Sequence, residues 1–421
     1  MNPPPPDHDE ESLTPPGPRG LGLVGRVGAA LENIRPGSRV LDGEILLSDA
    51  KGRALLGDFG SPSFRLGFDR LVAALEDEAE LSAVGRTAWR RAILDLLVAR
   101  LRIRDFEKKH PFVDHEAVVA PLVVIGLPHT GTTLLGRLLD HDPVNRSPLV
   151  WEVEDLCPPP ELDGYWEDPR IGASARRAAR NGSPLAVAAP GRATATVPAE
   201  CDRLLAPAFA GVRFATAAWV PGYLDWWRNA DVSGAYDLHR IQLQLLQSTF
   251  PTERWALHGV SHIWHVSLLM ETYPDARIVW LHRDPAAVAS AVTRSTLARL
   301  RVNSDAASGE AVGRRWSEEI PAVLSAASTR LGGVEDVFHL PHPELVDDPV
   351  GAVERIYRFF GLSLSDLARH RMESWLYTRA DAVASWDRPA AAGPAPGVDR
   401  DDVRERTAGY SRDYEVPGEG R

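Results

Sequence analysis

The stretch Val123-Val124-Ile125-Gly126-Leu127-Pro128-His129-Thr130-Gly131-Thr132-Thr133-Leu134-Leu135-Gly136-Arg137-Leu138-Leu139 changes character twice. A dense apolar run reaching back to Ala117 ends at Gly126, and its length and β-branching predict a buried parallel strand over Ala117–Gly126. From Thr130 to Asp140 the leucines return at helical spacing. Between the two lie glycines five apart, followed by the hydroxyls of Thr132 and Thr133. A strand that ends in a tight glycine turn before a helix aims freed backbone N–H groups at an anion. The residues expected to hold a phosphate are Pro128, His129, Thr130, Gly131, Thr132 and Thr133. Nucleotide hydrolases of this loop type carry a lysine before the last Ser/Thr, serving the outer phosphates beside Mg²⁺. Thr132 stands there instead, which argues against ATP or GTP hydrolysis. The plain alternative is a glycine turn that binds nothing, against which stand the strand before it and the helix after it.

Upstream, Phe64, Phe68, Leu71 and Leu75, then Ala92, Leu94, Leu97 and Leu101, predict two amphipathic helices between Ser63 and Glu107. Downstream, Arg277–His282 and Asp336–Leu340 read as further strands, the latter before a helix at about Pro349–Phe360. Helical segments are expected near Tyr223–Trp227 and Leu238–Phe250. The aromatic group Trp219, Tyr223, Trp226 and Trp227 either lines an acceptor pocket or belongs to the core. Strands alternating with helices give an α/β fold: a P-loop-like central parallel sheet flanked by helices, with helical additions at the N-terminus and in the middle. The expected organisation is a disordered Pro-rich tail over 1–20, a helical region over 21–115, the α/β domain over 116–390, and a C-terminal arm over 391–421 that is loop or partly disordered.

The chain of 421 residues has a formal net charge of −11. That charge excludes broad affinity for nucleic acid or anionic membranes, though not a local basic cleft. Two cysteines, Cys157 and Cys201, exclude a dense disulfide framework. With no apolar run long enough to span a bilayer and no signal-peptide pattern at the N-terminus, a soluble cytoplasmic protein is expected. His258, His262 and His265 fall four and three residues apart, but no carboxylate or cysteine spacing completes a zinc signature, so no metal is expected.

The loop resembles the 5′-phosphosulfate loop of the sulfotransferase superfamily, whose bacterial branch reads Gly-Leu-Pro-Arg-Thr-Gly-Thr-Thr-Leu-Leu. Asp58-Phe59-Gly60, Ser63-Phe64, Trp151-Glu152, Pro158–Pro160, Tyr273-Pro274-Asp275-Ala276-Arg277, His282-Arg283-Asp284-Pro285, Leu345-Val346, Asp348-Pro349 and Ile356-Tyr357 match that branch in order. The resemblance implies transfer of a sulfuryl group from 3′-phosphoadenosine 5′-phosphosulfate (PAPS) to a small-molecule hydroxyl or amine. In it, Arg283 holds the 3′-phosphate, a task that suits a guanidinium fork. The branch's partner serine falls eight residues later, at Ala291 here, with Ser290 one earlier. Glu152 matches the general base, against which stands a capping or solvated glutamate. His129 and His258 replace cations that offset leaving-group charge, and histidine can do so only when protonated. His262 matches the family's histidine. These departures also fit a catalytically silent nucleotide-binding scaffold of the same fold. A nucleotide kinase on the same loop is disfavoured by the missing lysine.

Overall fold

In a computed structural model, residues 40–179, 183–185, 195–304, 308–378 and 395–419 are described. The tail expected over 1–20 lies outside them. Five parallel strands form one sheet in the order β2-β3-β1-β4-β5: β1 (Leu122–Gly126), β2 (Asn145–Arg146), β3 (Arg254–Gly259), β4 (Arg277–His282) and β5 (Val337–Pro341). The sheet grows first to one side of β1 and then to the other. Loops leaving β1 and β4 therefore diverge and open a crevice at their carboxyl ends.

Alternation along the strands explains the layers. Val123 and Ile125 of β1, with Ile278 and Trp280 of β4, enter one core. Leu122 and Val124, with Val279 and Leu281, enter a second core on the opposite face. The second core is closed by the helix after the loop, through Leu134, Leu135, Leu138 and Leu139, and by the helix Pro349–Phe359. The first core is larger and includes three N-terminal helices, α1 (Gly43–Ala54), α2 (Phe64–Asp77) and α3 (Ala83–Lys109). The region expected over 21–115 thus shares one core with the sheet from Leu41 onward. Strand β1 begins at Leu122, later than Ala117, and the loop helix begins at Thr132.

One open alternative is decided and one expectation changes. Tyr223 and Trp227 are fully buried, so these two aromatics are core and not pocket wall. The arm expected to be loop forms two short helices, Arg400–Arg406 and Ala408–Asp413, with Val403 and Tyr410 in the first core. Among the described residues no helix is long and apolar enough to cross a membrane.

Candidate active site

Residue geometry at the loop follows from its two left-handed positions. His129 has φ 65° and Gly131 φ 98°, which turn the chain from β1 into the loop helix Thr132–Asp140. A Cβ on Gly131 would sit 2.8 Å from Leu345 Cδ2, so glycine is required there for space as well as for φ. The Thr130 hydroxyl donates to the Leu127 carbonyl at 2.7 Å and pins the turn from inside.

Arg283, at the end of β4, reaches the loop. Its Nη1 donates to the His129 carbonyl at 2.7 Å. Its Nε and Nη2 make a two-pronged pair with the Glu419 carboxylate at 2.7 and 2.8 Å. The Glu419 amide donates to Asp284, and Arg404 Nη2 donates to the Glu419 carbonyl at 2.8 Å. An anion from the chain's own C-terminal segment thus occupies the face of Arg283 that suits a phosphate.

Glu200 is the carboxylate that meets the loop. It accepts from the Thr133 hydroxyl at 3.1 Å. Burial alone would raise its pKa, but His258, the Thr133 hydroxyl, Arg213 and Arg203 outweigh that and hold it below its ordinary value. It is therefore ionised at neutral pH. The expected base is placed differently. Glu152 is fully buried, with one oxygen paired to Arg146 at 2.9 Å and the other accepting the Leu149 amide. In this arrangement both its oxygens serve the fold.

The three histidines singled out by the sequence are uncharged at neutral pH. His129 donates to or accepts from Ser295 Oγ at 2.9 Å. The cleft walls desolvate it and Arg283 and Arg299 repel a further cation, pulling its pKa down to about 4. Its ring keeps an exposed edge beside those two guanidinium groups. His258 lies beneath the loop helix, where a Cβ on Gly136 would meet its ring at 2.6 Å. Burial lowers its pKa against the pull of Glu200, and neither ring nitrogen has a protein partner. His262 points elsewhere, its Nδ1 on the Tyr236 hydroxyl at 3.0 Å in the first core. Ser290 is buried and donates to the Ala286 carbonyl of its own helix.

Permanent positive charge comes from residues that sequence reasoning passed over. Arg299 acts on His129 and interacts with Glu200, and Arg203 and Arg213 act on Glu200. Arg213 is half-buried, its pKa lowered to about 10 by desolvation and by Arg203. Within a chain of net negative charge this is the basic cleft that composition left open.

A strand-end glycine loop facing a buried arginine fork has the geometry that suits a phosphate. The model of the Sulfotransferase family matches residues 121–366, which contain the loop and Arg283 but not Glu419. The chain belongs to the Sulfotransferase family. Two solved sulfotransferases superpose over most of their length. Sulfotransferase STF9 from Mycobacterium avium is 26% identical, covering 90% of this chain and 98% of that chain at a TM-score of 0.81. Sulfotransferase STF1 from Mycobacterium tuberculosis H37Rv is 28% identical, covering 88% and 100% at a TM-score of 0.76. No curated protein sequence matches the chain.

Proposed function

We propose that this sulfotransferase takes its sulfuryl group from PAPS and passes it to a hydroxyl or amine of a small molecule. The observation that carries the reading is the loop's left-handed turn held against Arg283 by the His129 carbonyl contact. The loop amides of Thr130–Thr133 would take the 5′-phosphate, and the Arg283 fork the 3′-phosphate once Glu419 has left. The unpartnered nitrogens of His258 leave a further polar contact for the bridging oxygen. Glu200 accepts the acceptor's proton as its oxygen or nitrogen bonds to sulfur. The sulfur–oxygen bridge breaks and its electron pair leaves on adenosine 3′,5′-bisphosphate. Arg203, Arg213 and Arg299 offset that charge without rearrangement, which is the task assigned at first to His129 and His258.

The test is release of adenosine 3′,5′-bisphosphate from PAPS, with sulfate appearing on the acceptor, across a panel of phenols, alcohols and amines without added Mg²⁺. Arg283→Ala should weaken bisphosphate binding by about 1.5–3 kcal/mol and leave an analogue lacking the 3′-phosphate nearly unaffected. Equal losses for both ligands would remove the 3′-phosphate role. Tight nucleotide binding with no transfer to any acceptor would favour the silent scaffold, a reading supported by the neutral state of His129.

A further inference from the structure

Three side chains far apart in sequence meet beneath the cleft. Cys201 opens the helix Cys201–Leu205, His239 lies within the helix Ser233–Thr249, and His262 follows β3. All three are fully buried, and their ligand atoms lie within 4.8 Å of one another. Each histidine has one ring nitrogen fixed by a tyrosine. His239 Nδ1 faces the Tyr273 hydroxyl at 2.7 Å and His262 Nδ1 the Tyr236 hydroxyl at 3.0 Å. Both Nε2 atoms are buried with no hydrogen-bond partner. Two orphaned ring nitrogens on histidines clustered with one thiol are a costly arrangement in a core unless something satisfies them. Hydroxyl contacts that leave Nε2 free are also what metal-bound imidazoles show on their far side.

We propose that Cys201, His239 and His262 bind a thiophilic d10 cation, Zn²⁺ or Cu⁺. One thiolate with two imidazoles suits both ions, and hard cations such as Mg²⁺ are excluded by the absence of oxygen ligands in the trio. Metal–ligand bonds of about 2.0–2.3 Å set ligand atoms roughly 3.3–3.8 Å apart, so atoms within 4.8 Å of one another have at most about 1.5 Å to close. On binding, the Cys201 thiol releases its proton to solvent and its sulfur bonds the ion. Each Nε2 donates its lone pair, and each Nδ1 then carries the hydrogen given to its tyrosine. The ion ties the start of one helix, the body of a second and the end of β3 into one cross-link. Glu200 is the residue immediately before Cys201, so the same cross-link holds the carboxylate that meets Thr133. The site stands whether or not PAPS is the donor.

Purified full-length protein, stripped with a chelator, should take up one equivalent of Co²⁺ as a Zn²⁺ probe. A thiolate-to-cobalt charge-transfer band should appear in the near ultraviolet. In a parallel arm, competition against a colorimetric Cu⁺ chelator tells which ion is held more tightly. Cys201→Ser should abolish the band, and His239→Gln or His262→Gln should weaken binding at least tenfold. Cys157→Ser leaves the trio intact and should keep the band in full, which identifies the thiolate even if the other variants fail to fold. Binding of neither Co²⁺ nor Cu⁺ near one equivalent, or a band lost with Cys157→Ser, overturns the proposal.

Discussion

Glu200 and Glu152 share a side chain and differ in everything around it. Glu152 pairs with Arg146, whose guanidinium also donates to the Leu246 carbonyl and stacks on Phe250 and Trp255 at 4.3 and 4.9 Å from the ring centroids. Removing one partner of a buried ion pair strands the other charge. Glu152→Gln should therefore lower unfolding stability by about 3 kcal/mol or more, read from the denaturant midpoint, while any protein that folds keeps its turnover. Glu200→Gln should do the reverse, with stability nearly kept and turnover lowered by about 10²–10⁴ at unchanged nucleotide affinity. Full activity in Glu200→Gln, with activity lost in folded Glu152→Gln, would return the base to Glu152. Position 152 was readable as a candidate because it follows the loop closely in sequence. Glu200 was not, because it joins Thr133 across 67 residues. Only the fold makes that contact, and no local spacing announces it.

At the scale of elements, strands made of uninterrupted apolar residues could be read directly. Arg277–His282 is observed with the boundaries its sequence predicts, and β5 is shifted by one residue. Strand β3, Arg254-Trp255-Ala256-Leu257-His258-Gly259, was missed because only three apolar residues, none of them β-branched, separate its arginine from its histidine. Ile278-Val279-Trp280-Leu281 give the next strand four, two of them β-branched. The arginine is tolerated through later partners, Arg254 pairing with Asp142 at 3.2 Å and its Nε meeting Asn145 at 2.6 Å. The two-residue β2 is too short for any periodicity to show. The C-terminal helices, by contrast, carried signals that were overlooked. Asp399 caps Arg400–Arg406 by accepting from the amides of Asp401 and Asp402, with acids in the first turn and arginines in the last. The loop after β1 itself rests on the turn into its helix. Gly131→Ala should cost about 1–3 kcal/mol of stability, since the left-handed backbone and the Leu345 contact both oppose a methyl group. Nucleotide binding should weaken further, because the amides move with the turn. Unchanged calorimetric affinity in this variant would detach the loop from ligand binding.

For the molecule as a whole, the fold keeps imidazoles uncharged in places that water would charge. Burial pulls the pKa of His141 down to about 4, helped by Arg371, and that of His342 down to about 3, helped by Arg283. Between those values and about pH 6.5 the unfolded chain binds protons that the folded chain refuses, so stability rises with pH there. Asp140 works in the opposite sense, its pKa pushed up to about 7 by burial, so it costs stability as pH rises toward 7. With the two histidines outweighing one aspartate, the denaturant midpoint should fall as pH is lowered from about 6.5 to about 4. A midpoint constant across that window would mean the imidazoles are wetter than their surroundings imply.

If Arg283 takes the 3′-phosphate as proposed, its pairing with Glu419 makes nucleotide capture an exchange of anions. A phosphate arriving there does not neutralise a bare cation but displaces a tethered carboxylate, so one ion pair replaces another. Affinity at this subsite should then depend only shallowly on ionic strength, since added salt loosens the outgoing pair along with the incoming one. Glu419→Gln breaks that symmetry: binding of adenosine 3′,5′-bisphosphate should tighten at low salt and its salt dependence should steepen. Release benefits in the same measure, because the carboxylate is held at high local concentration and re-enters as the product departs.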